Sequence, residues 1–389
     1  MIFTYLTAIW THHQEGVCRE LHRILGGQFR VVLTLPLDAP LSRERMAMGW
    51  NLVPPKEDAS WIVGPPTTEE ESCRIDYSPY VIDPEVAVFG YVPGIDEYLI
   101  MRRVRSGRLT FFQGERFFKK PRRLRDWFNL RILKRWFCIW LKLHPKNVHY
   151  LTMNHWCADD LRFFHVCKGR TWQWGYLTAV SPVQPQKPKH EKVEIGWCGR
   201  MIYWKRVDYI LRALALLPDK VRQKCRLALV GNGDKETELK ELADSLAISH
   251  IVEFKKPVSA AEALEFMHNL DIYVMPSDRE EGWGAALLEA MNEGCAVVAN
   301  KSAGATLDVL EDGKSGFVFE DSDTKMLAER LCALIEDATL RHEMVKTAWR
   351  RVQDWSPRVG AERLVAVVDA LLGVGQFPEY KSGLMSLQR

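Results

Sequence analysis

Two glutamates with seven residues between them, Glu281 and Glu289, frame a turn that contains Gly282 and Gly284. Upstream, the apolar run Asp271 to Met275 stops at Pro276-Ser277; downstream, strong helix formers run from Ala285 to Met291. That pattern reads as a strand, a loop and the start of a helix. A helix start presents unpaired backbone N–H groups and the positive end of the macrodipole, and glycine lets an anion approach the backbone, so the turn suits phosphate. With a helix beginning near Ala285, the two carboxylates stand roughly 10 Å apart. They are then too distant to share one proton or one metal ion. Each is placed instead to accept hydrogen bonds from hydroxyls at opposite ends of an elongated ligand with phosphates between them, the layout of a nucleotide sugar. The plainer reading makes Glu281 a complement to the helix dipole and Glu289 a solvated helix residue.

Other candidates follow the ends of predicted strands. Gly199-Arg200 and, five residues after Arg200, Lys205 offer a guanidinium fork and an ammonium point charge, either as a diphosphate clamp or as solvated loop cations. Gly231-Asn232-Gly233 lacks the third glycine and the later acidic residue of a dinucleotide fingerprint, so it supports dinucleotide binding only weakly. Lys256 lies in a further loop, Phe254-Lys-Lys-Pro257. At the other end of the chain, His12-His13-Gln14-Glu15-Gly16 follows the first apolar run, where open α/β sheets bind ligands. Gly16 is the position suited to a close backbone contact there. Glu115 is either an acceptor-side carboxylate or the ion-pair partner of Arg116.

Glu281-Gly-Trp-Gly284 followed by Leu288-Glu289-Ala-Met291 resembles the Glu-x7-Glu signature of retaining family 4 glycosyltransferases with the GT-B fold, with Trp283 in place of the usual Phe. The resemblance implies two Rossmann-like domains facing a central cleft, with a C-terminal helix crossing back to the first. It implies that Glu281 contacts the donor sugar, that backbone amides at Gly282, Trp283 and Gly284 meet sugar hydroxyls or phosphate, and that Glu289, beside Leu288, binds the ribose. By the same resemblance Arg200 and Lys205 stabilise the leaving diphosphate, and Gly199, Gly231, Gly233 and Lys256 line the donor. Arg206 stands where the family has glycine after the lysine, Lys256 where it has a glycine near the base, and Asp308 where Glu is usual. His12-His13-Gln14 and Trp174-Gly-Tyr176 resemble a bacterial surface-polysaccharide subgroup, which would set His12, His13, Gln14, Gly16 and Glu115 on the acceptor side. No cofactor and no metal are implied beyond the nucleotide-sugar co-substrate.

A chain of 389 residues has room for two domains, and 47% apolar with 26% charged residues is a globular balance. A formal charge of +3 excludes a polyelectrolyte binder. Nine cysteines without a Cys-x-x-Cys pair read as reduced thiols in cytoplasm. The first residues read as a strand rather than a leader, and no run of about 18 apolar residues suggests a membrane span. Strand and helix patterns alternate, so α/β architecture with parallel sheets is expected, divided into an acceptor-binding domain over 1–180, a Pro-rich linker over 181–191, a nucleotide-sugar domain over 192–355 and a returning helix over 356–389. Residues 37–80 have no clear period.

Residues 117–142 carry nine Lys or Arg against the single acid Asp126, interleaved with Trp, Phe and Leu at near-helical spacing. The stretch suits an anionic membrane surface or a helix packing its aromatic face on the core; nucleic acid is not expected. The expectation is a metal-independent hexosyltransferase, cytoplasmic or peripheral on the inner face of the plasma membrane. It would move sugar from a nucleoside diphosphate to an acceptor glycan or lipid-linked glycan in surface-polysaccharide assembly. The alternatives are other GT-B chemistry, as in a sugar-nucleotide epimerase or phosphorylase, and a non-catalytic membrane-surface binding protein.

Overall fold

The structure, a computed structural model, describes residues 1–47, 50–119 and 129–388. The chain forms two compact units, Met1–Ala179 with Trp355–Arg389, and Val180–Asp354. Among the described residues no helix is long and apolar enough to cross a membrane, and all nine cysteines are free thiols.

The first unit is built on seven strands: β1 (Phe3–Thr7), β2 (Phe29–Leu33), β3 (Ile62–Val63), β4 (Val86–Phe89), β5 (Leu109–Gly114), β6 (Val148–Thr152) and β7 (Thr171–Gln173). They pair in the order β3-β2-β1-β4-β5-β6-β7, every pair parallel. Strands covered on both faces need apolar side chains at successive positions, which is why Val86-Ala-Val-Phe89 is buried throughout. The winding reverses between β1 and β4. At such a switch point the connecting loops diverge and leave a crevice at the carboxyl ends of the strands.

The first helix runs His12–Leu25, four residues earlier than the pattern from Gly16 suggests. The Thr11 carbonyl accepts the N–H groups of Gln14 and Glu15 at 3.0 and 2.9 Å, which starts the helix. His12, His13 and Gln14 therefore occupy its first turn, not a free loop. Gly16 has a packing role. A Cβ there would stand 2.7 Å from Pro357 Cγ, so its bare face admits the C-terminal helix Pro357–Leu371. That helix is capped by Ser356 and lies against His12–Leu25. Beyond it, Met385, Ser386 and Gln388 hydrogen-bond the backbone of β7.

Residues 37–80 form short pieces, a helix Pro40–Ala47 and the two-residue β3 among them, too brief to show a period. Of the basic aromatic stretch, residues 120–128 lie outside the described residues. The remainder includes a helix Leu130–Leu143 capped by Asn129. Trp136, Ile139, Trp140 and Leu143 join the core over β4, β5 and β6. The opposite side exposes Leu130 (81%) and Phe137 (58%) with Arg131, Lys134 and Arg135.

The second unit holds β8 (Val193–Cys198), β9 (Cys225–Val230), β10 (Val252–Lys255), β11 (Ile272–Met275), β12 (Ala296–Asn300) and β13 (Phe317–Phe319). Their order is β10-β9-β8-β11-β12-β13, again wholly parallel. Helices Val207–Leu216, Glu236–Ser245 and Thr324–Glu336 close one core. The winding reverses between β8 and β11, and right-handed crossovers put the helices of the second half on the other face. The helix after β11 is Ala286–Asn292, one residue later than the run of helix formers from Ala285 to Met291.

Arg103, fully buried in the first unit, donates to Thr110 Oγ1 at 3.1 Å and to the carbonyls of Leu109 and Glu85 at 2.6 and 3.1 Å, and also to Pro84. Burial lowers its pKa to about 10, which leaves it charged at neutral pH. Arg103→Met should lower the unfolding free energy of this unit by about 3 kcal/mol, because several buried carbonyls lose their donor. Urea unfolding followed by circular dichroism reads the change, and an unchanged midpoint would contradict this role.

Candidate active site

In the second unit the carboxyl ends of β8 and β11 flank the switch point. After β8 the chain passes Gly199 and Arg200 into a 3₁₀ turn, Tyr203–Lys205, and Arg206 takes a left-handed conformation (φ 47°) before the next helix. After β11 it passes Ser277 to Glu281. Three contacts join these loops. The Asp278 N–H donates to the Trp204 carbonyl at 2.9 Å, the Tyr203 hydroxyl donates to the Glu280 carboxylate, and Lys205 Nζ donates to Glu281 Oε2 at 2.5 Å. The Lys205 and Glu281 side chains are both largely buried, at 23% and 12% exposure. Ammonium and carboxylate are thus held in one geometry, with less screening than a surface pair meets. Arg200 lies on the same loop and is exposed.

Glu289, on helix Ala286–Asn292, keeps part of its surface open, yet crowding around the carboxyl desolvates it. Burial first, and the Glu293 charge second, raise its pKa to about 7. The Glu289 charge in turn helps raise the pKa of Cys198, at the end of β8, to about 11, after burial and against the opposing effect of Lys205. Tyr273 on β11 is raised well above its usual value by burial, then by Cys198 and Glu289, with a smaller effect of Glu281. Its hydroxyl donates to the Cys198 carbonyl at 3.4 Å. Glu281, Glu289, Lys205, Cys198 and Tyr273 therefore share one electrostatic neighbourhood.

Tyr273, Cys198, Tyr203 and Glu280 are absent from the sequence reading. A tyrosine inside the aliphatic run Ile272-Tyr-Val-Met275 is the signal that was available, since a buried phenol needs a hydrogen-bond partner.

Several of the glycines expected to meet a ligand allow close packing of loop on loop. A Cβ on Gly231 (φ 134°) would fall 1.9 Å from the Gly199 carbonyl oxygen, and one on Gly233 would fall 2.3 Å from that of Met201. The loops after β8 and β9 pack backbone to backbone there, fastened by Met201 N–H to Asn232 O at 2.6 Å and Lys235 N–H to Met201 O at 2.9 Å. Gly284 (φ 86°) is required sterically, since a Cβ would sit 2.0 Å from Met275 Cε. The side chains of Trp283 and Leu288, at 1% and 0% exposure, are core. The Trp283 carbonyl accepts the Ala305 N–H at 2.9 Å, and Gly284 is half-buried. Lys256 is exposed one residue beyond β10, an edge strand.

In the first unit His12 and His13 stand at the end of β1, ring centroids 3.8 Å apart. Thr7 Oγ1 donates to Gln14 Oε1 at 3.3 Å, and Tyr5 donates to Gln113. Glu115 pairs with Lys119 at 3.3 Å, while Arg116 lies 4.0 Å from Asp160. Both residues thus have ion-pair partners, Lys119 four residues along the chain for Glu115 and Asp160 for Arg116.

A carboxyl whose pKa rises from 4.5 to about 7 on folding binds its proton more tightly in the native state, so its ionisation works against folding. Relative to Glu289→Gln, the wild type should lose stability as pH rises from about 4.5 to about 7 and run parallel to the variant above that. Urea midpoints of both proteins across this range test it. Parallel curves throughout would contradict the burial of this carboxyl.

Residues 182–351 match the family model described as Glycosyl transferases group 1. Capsular polysaccharide biosynthesis glycosyltransferase CapM of Staphylococcus aureus is 25% identical over 179 residues, 46% of each chain. Phosphatidyl-myo-inositol mannosyltransferase of Mycolicibacterium smegmatis is 36% identical over 166 residues, 42% of each chain. The chain spans less than half the length of the curated relatives it matches. The crystal structure of Anabaena Alr3699/HepE in complex with UDP is similar with a TM-score of 0.69 at 15% identity, covering 95% of this chain and all of that one. The fold is accordingly GT-B, with two Rossmann-like parallel-sheet units, and residues 182–351 are similar to the glycosyltransferase group 1 family.

Proposed function

We propose that the chain is a metal-independent retaining glycosyltransferase that uses a nucleoside diphosphate sugar. The observation that carries this reading is the Lys205–Glu281 pair, which fixes a cation and a carboxylate at the switch point beside Glu289. In this reading Glu281 holds donor-sugar hydroxyls, Glu289 accepts from the ribose, and Arg200 and Lys205 take up the charge that develops on the leaving diphosphate. The bond from the anomeric carbon to the diphosphate oxygen breaks with its electron pair on that oxygen. The acceptor oxygen forms its bond on the same face, and its proton passes to the departing diphosphate. The complex of HepE with UDP supports a uridine nucleotide as the first to try.

CapM, named for capsular polysaccharide biosynthesis, supports a glycan acceptor in surface-polysaccharide assembly. A lipid-linked acceptor, met by a cytoplasmic enzyme at the inner face of the plasma membrane, accords with helix Leu130–Leu143. Its exposed side carries Leu130, Phe137 and Leu141 among Arg131, Lys134 and Arg135, and the helix holds no acid.

The test is a thermal-shift panel of UDP, GDP and their sugars, since a ligand bound only by the native state raises the melting temperature. The matching nucleotide sugar should then support transfer in wild type. Glu281→Ala should abolish transfer with the nucleotide shift kept, and Glu289→Ala should chiefly shrink the nucleotide shift. Wild-type turnover in both variants would overturn the assignment. For the membrane, co-sedimentation with phosphatidylcholine vesicles should require added phosphatidylglycerol. It should weaken by about 1 kcal/mol for each of Arg131, Lys134 and Arg135 changed to Gln. Equal binding to neutral vesicles would rule out this face.

A further inference from the structure

The segment without sequence period brings an unexpected pair of side chains to the end of β1. At the end of helix Pro40–Ala47 the Trp50 N–H donates to the Arg45 carbonyl at 3.1 Å. The Arg45 guanidinium lies 4.7 Å from the centre of the Trp50 ring. The indole meets His12 and His13 edge to face at 5.0 and 5.7 Å, and Tyr176 meets His13 at 5.4 Å. Trp50, His13, Tyr176 and Arg45 are half-buried, and His12 is exposed.

The charge state of this cluster is defined by its surroundings. Desolvation lowers both imidazole pKa values, that of His13 to about 3 with His12 and Arg45 adding to the effect. Glu15 opposes the shift of His12. Both rings are neutral at pH 7, so each keeps one N–H donor and one acceptor nitrogen. Arg45 makes no ion pair among the described residues. The result is an aromatic surface with neutral hydrogen-bonding edges and one guanidinium stacked on it. Such rings suit the C–H face of a pyranose, and a guanidinium takes a phosphate or carboxylate through two parallel hydrogen bonds.

We infer that Arg45, Trp50, His12, His13 and Tyr176 form a subsite for a sugar carrying an anionic group, with Arg45 binding the anion and the rings binding the pyranose. The inference rests on the transferase reading for its role, since it makes the acceptor an acidic or phosphorylated glycan, but the binding itself is separable from that reading. The anion has two sources, a phosphate ester as in a phospholipid-linked glycan or the carboxylate of a uronic acid.

The experiment is saturation-transfer NMR on the full chain with glucose 1-phosphate, glucuronic acid and methyl glucoside. Whichever of UDP and GDP raises the melting temperature is kept saturating, so that the phosphate probe does not report on the second unit. At least one anionic sugar should bind more tightly than methyl glucoside, and the one that does names the source. Arg45→Gln should reduce its affinity roughly tenfold or more and bring it to the level of methyl glucoside. Trp50→Ala should weaken all three. A nucleotide-induced melting shift in each variant shows that it is folded. Equal binding of the neutral and anionic sugars, no binding of any, or wild-type binding by Arg45→Gln would overturn the inference. Failure of both nucleotides to shift the wild type would instead overturn the transferase reading, and the sugar titrations without nucleotide would still decide this subsite.

Discussion

The candidate donor side depends on one steric fact: the loops leaving β8 and β9 touch through bare backbone. With a Cβ position at Gly231 only 1.9 Å from the Gly199 carbonyl oxygen, no other residue fits there without parting the loops. That contact, with the hydrogen bonds from Met201 to Asn232 and from Lys235 to Met201, directs the chain after β8 away from β9 and toward β11. Lys205 reaches Glu281 only because of that course. Glycines at the ends of these strands thus act on the chemistry indirectly, through the position of a lysine several residues away.

The second unit also concentrates ionisable groups where solvation is poor. Lys205 and Glu281 neutralise one another at short range, which offsets part of the cost of removing both from water. Glu289 is desolvated beside the Glu293 charge and responds by holding its proton up to about pH 7. Two carboxylates of the same type, one on a loop beside an ammonium and one on a helix among buried neighbours, therefore have different electrostatic characters. A shared Glu-x7-Glu spacing does not make them equivalent. Tyr273 lies within the influence of both and donates to the backbone at the end of β8.

The first unit divides its aromatic residues between two tasks. Along helix Leu130–Leu143, Trp136 packs with Phe118 and Phe163 in a ring cluster, and Ile139 and Trp140 pack on the core, while Leu130 and Phe137 are exposed beside cations. Core packing and surface display, which seem competing readings of a basic aromatic stretch, are two faces of one helix. At the end of β1 the aromatic residues gather around His12 and His13, where desolvation keeps both imidazoles uncharged.

The sequence by itself determined the two parallel sheets, because strands buried on both faces must be apolar at consecutive positions, and that signal is local. It also singled out Glu281, Arg200 and Lys205 as candidates, since the residues after strand ends are where an open α/β sheet meets its ligands, and Glu289 by its spacing from Glu281. Tertiary structure alone decided which glycines stand bare for a ligand and which for another backbone: Gly16 faces Pro357, and Gly231 faces Gly199, partners far away or in another loop. It likewise decided that Trp283 is core, that Tyr273 lies near both glutamates, and that Trp50 meets His12. The physical reason is common to these cases. Local periodicity and strand ends follow from the covalent chain and its burial, whereas a close approach between segments is fixed only when the sheet order brings them together.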